Sequence, residues 1–357
     1  MQVTCISGID EFDRLKAAWD AVYAADCHAQ VFLSWDWLRG WLEATASEWF
    51  VLAARADSDG GYAAFLPLGR RALRKRRCRT EWELYMAGSP LADYTGFLCL
   101  PGCEQEAIPA LADHVEKQLE WDRLDLKDVL DPRLDLFLRH ISPEKCAVEQ
   151  VGSTVCPYVE LPGTWEQYLQ TLVGPKSRRE FRRCLGRIER GEPLRLTHLT
   201  GASGDLHIEV LLRLWQLRWS ARPAEMLEML RRVLRSCAGR NCLWLPVLWH
   251  AETPIAAAAV LIDHQKKVFN GYIMAFDATY AKLSPGTTLI AYTLRHAIEH
   301  GFKTFDFLRG GEDYKDRFGT QERRVTHTTI TRMKPQPAEA GRIRQLRRRL
   351  NRIWSRA

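Results

Sequence analysis

The sequence predicts an α/β protein of two tandem units, each a mixed, mostly antiparallel sheet flanked by helices. The order helix pair, three-strand meander, helix, strand occurs twice along the 357 residues. The strands that close the two runs, "RLDLKDV" and "TFDFLRG", set Asp125 and Asp306 at the same place between apolar neighbours. At 46% hydrophobic and 27% charged, the chain is of ordinary globular composition, long enough for two domains and able to bury roughly 75% of its unfolded surface.

In chain order, "GIDEFDRLKAAWDAVY" places Phe12, Leu15, Ala18, Trp19 and Val22 on one helical face. "SWDWLRGWLEATA" follows, with Ser34 as N-cap and Trp37, Leu38, Trp41 and Leu42 on the buried side. The tryptophan spacing fits core packing better than a sugar-stacking platform. The runs "EWFVLAARA", "GYAAFLPLG" and "RTEWELYMAG" form a meander that turns at "DSDGG" and at a basic stretch. Past the loop "GSPLADYTGFLCLPG", Ile108, Leu111, Val115 and Leu119 stripe a helix, and "WDRLDLKDV" is a strand. The second unit repeats the order, with helices near 205–220 and 224–237, then "CLWLPVLWH", "PIAAAAVLID" and "KKVFNGYIMAF". The units are expected at 1–150 and 151–335. In the remainder, 336–357, Ile343, Leu346, Leu350, Ile353 and Trp354 share one face beside seven arginines, the pattern of a basic amphipathic helix suited to peripheral membrane contact or to packing on its own domain.

Several classes are disfavoured. The N-terminus lacks a basic segment followed by an apolar one, and the longest apolar run, "PIAAAAVLI", is far short of the ~20 residues that span a bilayer, so a cytoplasmic protein is expected. The ten cysteines include no C-x2-C, and the ten histidines form no H-E-x-x-H pattern, so buried free thiols and no metal are expected. The net charge of +7 is concentrated in "RRALRKRRCR", "KSRREFRRCLGRIER" and the C-terminal run, which suits anionic partners or simply solvated faces.

The chemistry gathers in "AKLSPGTTLIAYTLRHAIEHGFKTFDFLRGGEDYK". Ser284 is a natural cap, Pro285 suits a first helical turn, and Gly286 lets an outside group approach the backbone. A helix begun this way directs its free N–H groups and positive dipole end at a phosphate. Asp306 lies between Phe305 and Phe307, which would raise its pKa toward that of a general base, and Tyr314 and Lys315 follow a glycine pair.

A meander, a glycine-bearing loop opening a helix, and then F-D-F-x-x-G-x-x-x-Y-K resemble the acetyltransferase fold called GNAT. More narrowly they resemble its BioF2-like and CelD (cellulose biosynthesis) branch, related to the FemAB peptidyltransferases. The likeness is most specific over 269–318. It implies tandem GNAT-like units and an N-acyltransferase that carries an acyl group, expected to be acetyl, from acyl-CoA to a small-molecule amine or amino sugar in polysaccharide or cell-surface biosynthesis. The donor's pyrophosphate would lie against Ser284, Gly286, Thr287 and Thr288, and its pantetheine arm along Tyr272, Ile273 and Met274. The loop departs from the usual Gln/Arg-x-x-Gly-x-Gly/Ala pattern, having only Gly286. Asp306 would act as base, with Glu312 and Asp313 in reserve, Tyr314 as acid for the leaving thiolate, and Lys315 as the third catalytic residue, contacting substrate or steadying the tetrahedral intermediate. Asp93, Tyr94, Arg178, Arg179 and Arg182 are the expected acceptor contacts, since the first unit lacks a cap-and-glycine helix opening. Two alternatives stand beside this reading: a Fem-type transferase using aminoacyl-tRNA, disfavoured by the lack of a coiled-coil arm, and a non-catalytic binding protein on a degenerate transferase fold.

Overall fold

In the computed structural model, residues 1–56, 61–76, 79–191, 193–199, 204–218 and 223–333 are described, so the expected helix at 336–357 lies outside the described residues. The first unit runs β1 (Gln2–Ile6), α1 (Ile9–Arg14), α2 (Lys16–Ala25), α3 (Trp35–Ala44), β2 (Glu48–Arg55), β3 (Tyr62–Arg76), β4 (Arg79–Met86), β5 (Leu98–Cys99), α4 (Glu104–Gln118), β6 (Arg123–Val129) and α5 (Leu134–Arg139). After β7 (Cys146–Glu160), α6 (Trp165–Thr171), α7 (Pro175–Glu189) and β8 (Leu194–Leu199) comes the second: α8 (Asp205–Arg218), α9 (Ala224–Gly239), β9 (Leu243–His250), β10 (Thr253–Asp263), β11 (Val268–Phe276), α10 (Pro285–Glu299), β12 (Thr304–Asp306) and β13 (Gln321–Arg332).

The described strands form one thirteen-stranded sheet in the order β1-β2-β3-β4-β6-β13-β7-β12-β11-β10-β9-β8, with β5 added to β3. The duplication is visible in its register. β4 pairs in parallel with β6 through Glu83↔Arg123, Leu84↔Leu124 and Tyr85↔Asp125. β11 pairs with β12 through Val268↔Thr304, Phe269↔Phe305 and Asn270↔Asp306. Asp125 and Asp306 thus hold the same position, the last of three. The two long strands are exchanged: β7 follows the first unit but pairs with β12, while β13 follows the second but pairs with β6. They also pair with each other, from Gln321↔Tyr158 to Arg332↔Cys146. A division at residue 150 therefore runs through β7.

Amphipathic helices cover both faces. On one, α1–α3 and α8–α9 share a core containing the fully buried Trp19, Trp37 and Trp41, so the tryptophans are packing residues. Ser34 caps α3 as its position predicts, Oγ accepting from the Trp37 N–H at 3.4 Å. The α3–α9 crossing is close, since a Cβ on Gly40 would stand 2.8 Å from the Ser236 side chain. On the other face, α4 and α5 cover the first unit and α6, α7 and α10 the second. The single helix expected from "GIDEFDRLKAAWDAVY" is divided at Leu15. Cys99, Cys146, Cys156, Cys184, Cys237 and Cys242 are buried free thiols, whereas Cys5 and Cys27 are exposed.

One feature of the outer core titrates. His296 on α10 stacks on Trp244 with ring centres 4.4 Å apart, 3.8 Å from His300 and 5.8 Å from His198. Burial, reinforced by those two histidines, lowers its pKa to about 4. An unfolded histidine titrates near ~6.5. Between these values the unfolded chain binds more protons than the folded one, so stability falls as pH falls through the window and levels off below it. His296→Phe keeps the stacking, and its melting temperature should vary less between pH 6.5 and pH 4 than that of the wild type. Identical pH profiles for the two proteins would contradict this.

Candidate active site

β11 and β12 pair over three residues and then diverge. Within β11 the register to β10 slips, Ala259 facing Ile273 and Val260 facing Gly271, so Tyr272 is an extra, bulged residue. Beyond Asn270 the edge of β11 has no strand partner on the β12 side among the described residues, and its backbone groups are open to an extended ligand. The gap is a cavity of about 270 Å³ with Ile273 and Met274 on one wall and Arg309, Tyr314 and Lys315 on another. The first unit contributes Pro90, Leu91 and Asp93, and α8 and α9 add an apolar wall of Trp215, Met226 and Leu230. Tyr272 ties the two units together here, its hydroxyl donating to Leu91 O at 2.8 Å.

A second cavity, about 380 Å³, lies over the start of α10 and is lined by Phe276, Ser284, Gly286, Thr287, Glu180 and Arg317 among others. It shares Met274, Ile290 and Tyr314 with the first, so the two abut. Ser284 differs from expectation. It sits in the left-handed region at φ 56°, and its side chain makes no capping bond. Its carbonyl instead accepts from the Thr288 N–H and from Thr288 Oγ1, both at 2.9 Å. Thr288 is fully buried and, unlike Ser284, Gly286 and Thr287, does not line the cavity. Packing at Gly286 is tight, because a Cβ there would come within 3.2 Å of the Phe276 ring.

Asp306 does not face either cavity. Its carboxylate is fully buried, accepts from Tyr94 Oη at 2.9 Å and from the Leu308 N–H at 2.8 Å, and pairs with Arg323. Burial raises its pKa, while Arg323, the Leu308 N–H and Tyr94 act in the opposite direction. The expected base is thus enclosed: its carboxylate accepts from the N–H of Leu308, which lies in the left-handed region at φ 57°, and Arg309 follows into the first cavity. Tyr94, itself buried, donates to Asp306 and lines neither cavity.

Asp93 does line the cavity. It accepts from Arg309 Nε at 2.8 Å and pairs with Nη2 at 2.7 Å, and the same guanidinium pairs with Asp128. Burial pushes the Asp93 carboxyl above the usual range, with Arg309 opposing. Two carboxylates share one guanidinium, which favours a cationic group nearby. Lys315, only 4% exposed, donates to Gly310 O at 2.7 Å and to Phe307 O and Arg309 O at 3.3 Å, and pairs with Glu312 at 2.8 Å. It holds the 307–315 turn closed while lining the cavity. Tyr314 is 43% exposed and stands where the cavities meet.

The arginines of α7 are placed otherwise than expected. Arg178 Nη2 donates to Gln170 O at 3.2 Å and Val173 O at 3.1 Å, closing the end of α6. Arg182 pairs with Glu166, Arg179 is exposed, and none of the three lines either cavity. Their neighbour Glu180 does, as do Arg317, Arg309 and Phe276, which sequence reasoning passed over. The signal available was slight: Arg317 lies two residues after Lys315 in "EDYKDRF".

Among the described residues no His, Cys, Asp or Glu side chains converge to hold a metal ion, and no helix is long and apolar enough to cross a membrane.

Residues 175–316 match the acetyltransferase (GNAT) domain family. The fold of this stretch is the GNAT fold. That match runs from the start of α7 to the turn after β12 and includes the splayed β11 and β12 and the start of α10. Among solved structures, FemX aligns with TM-score 0.66 at 11% identity, covering 93% of this chain and 98% of that one. L-PGS from Bacillus licheniformis aligns at 0.55 and 11% identity, covering 92% and 94%. A tandem GNAT protein from the clavulanic acid biosynthesis pathway aligns at 0.50 and 12% identity, covering 94% and 99%. These likenesses show that the chain shares its fold with these proteins over nearly the full length. Among curated proteins none matches by sequence.

Proposed function

We propose that the chain is a GNAT N-acyltransferase that takes an acyl group from acyl-CoA and transfers it to the amine of a small molecule or amino sugar. The observation that carries this reading is the pair of abutting cavities on one βαβ unit. The start of α10, with Gly286 and Thr287, suits a diphosphate. The unpartnered edge of β11 at Tyr272, Ile273 and Met274 suits the pantetheine arm, and its N–H groups the oxyanion. Tyr314, where the cavities meet, serves as acid for the leaving thiolate. Asp93, with its raised pKa and its place on the acceptor side, receives the amine, and the buried Lys315 ammonium stabilises charge in the intermediate.

Acetyl-CoA should raise the melting temperature: at ~100 times its Kd a ligand that binds only the folded state adds about 2.7 kcal/mol. Differential scanning fluorimetry across an acyl-CoA series checks this, and no shift with any member would remove the reading. A second reading, aminoacyl transfer, is supported by the full-length fold likeness to FemX and to L-PGS. A stabilising effect of aminoacylated tRNA that persists at ~200 mM salt would favour it, since binding through phosphates alone falls steeply with salt.

A further inference from the structure

The second cavity holds an ion pair that the reading above leaves unused. Glu180 on α7 and Arg317 in the turn after Lys315 meet across it, Nη2 of the arginine on Oε2 of the glutamate, although 137 residues separate them. Arg317 is braced by aromatic rings, its guanidinium 5.8 Å from the Phe181 centre and 6.0 Å from that of Phe318. Those rings stack 4.9 Å apart at 13°. Arg317 is 30% exposed and Glu180 22%, so cavity solvent reaches the pair. The helix start opposite carries partial positive charge and has no capping side chain. Glu180 is therefore a carboxylate in a cavity whose other charges are positive, in the electrostatic place of an anion.

We propose that Arg317 is a ligand for the diphosphate of a nucleotide-bearing donor, and that Glu180 holds it in the donor-free protein and gives it up when the diphosphate enters. This rests on the acyl-CoA reading and adds the residue and the donor chemistry. A guanidinium leaves a carboxylate readily only for a group of greater negative charge, and a diphosphate can engage Arg317 and the α10 N–H groups together. No covalent step is involved, only an exchange of ion-pair partners.

Calorimetric titration with CoA and with inorganic pyrophosphate, on wild type, Glu180→Gln, Arg317→Gln and Arg317→Lys, tests it. Glu180→Gln, which is isosteric, should bind both probes about three- to tenfold tighter. Arg317→Gln should bind roughly tenfold or more weaker, and Arg317→Lys should fall between it and wild type. Combining Glu180→Gln with Arg317→Gln should abolish the gain. If wild type binds CoA but Glu180→Gln binds it equally or more weakly, the exchange is wrong while the donor reading survives. If neither probe binds wild type or Glu180→Gln, both fall.

Discussion

Arg133→Met should destabilise the protein by about 3–5 kcal/mol, a large part of the ~5–15 kcal/mol that holds an ordinary domain together. Arg133 is buried, as are Asp26 and Asp131. Its Nη2 lies 2.8 Å from a carboxylate oxygen of each and 3.1 Å from Phe97 O, and its Nε donates to Asp131 Oδ1 at 2.8 Å. The carboxylates also accept from the Cys99 N–H at 2.9 Å and the Phe97 N–H at 3.1 Å. One cation therefore joins the end of α2, the β5 strand and the approach to α5. Without it two carboxylates remain buried with no counter-charge, whereas the methionine replaces only the stem. Urea unfolding of the variant measures the loss, and Asp26→Asn in the same background should restore part of it. A change below ~1 kcal/mol would show that the carboxylates find water or another partner.

Gly286→Trp should remove CoA binding, a loss of at least a hundredfold or about 2.7 kcal/mol, with a smaller loss of stability. The added side chain first meets the Phe276 ring, 3.2 Å from where its Cβ would sit, and is then turned into the 380 Å³ cavity over α10. Overpacking of this kind costs about 1–3 kcal/mol, so the folded protein should survive. Gly286→Ala needs Phe276 to give only a few tenths of an ångström and should lose far less. Calorimetry with CoA, read beside the ligand-free melting temperature, separates lost binding from lost fold. Unchanged CoA affinity in the folded Gly286→Trp protein would remove the donor site from α10.

The two units, their meanders, the Ser34 cap and the matched Asp125 and Asp306 were legible in the sequence because each depends on periodicity or turn chemistry within a few residues. So was the helix opening at Pro285 and Gly286. Asp306 shows where this stops. Its apolar neighbours pointed to a raised pKa, and the shift is in that direction, but Tyr94 and Arg323, from distant strands and loops, enclose the carboxylate away from the cavities. Lys315 was expected to reach a substrate from the segment after a glycine pair and is buried among three backbone carbonyls, because the 307–315 turn folds back on itself.

By itself the sequence determined which segments form helices and strands, that they form the same unit twice, and that a helix opens at Pro285 and Gly286. Only the tertiary structure decided that β7 and β13 change places between the units, that Asp93 and not Asp306 faces the cavity, and that Glu180 meets Arg317 in the cavity over the start of α10. The physical reason is one of range. Hydrogen-bonding pattern and amphipathicity are set by near neighbours, whereas the solvation and pairing of a charge are set by whatever chain the sheet brings across from it.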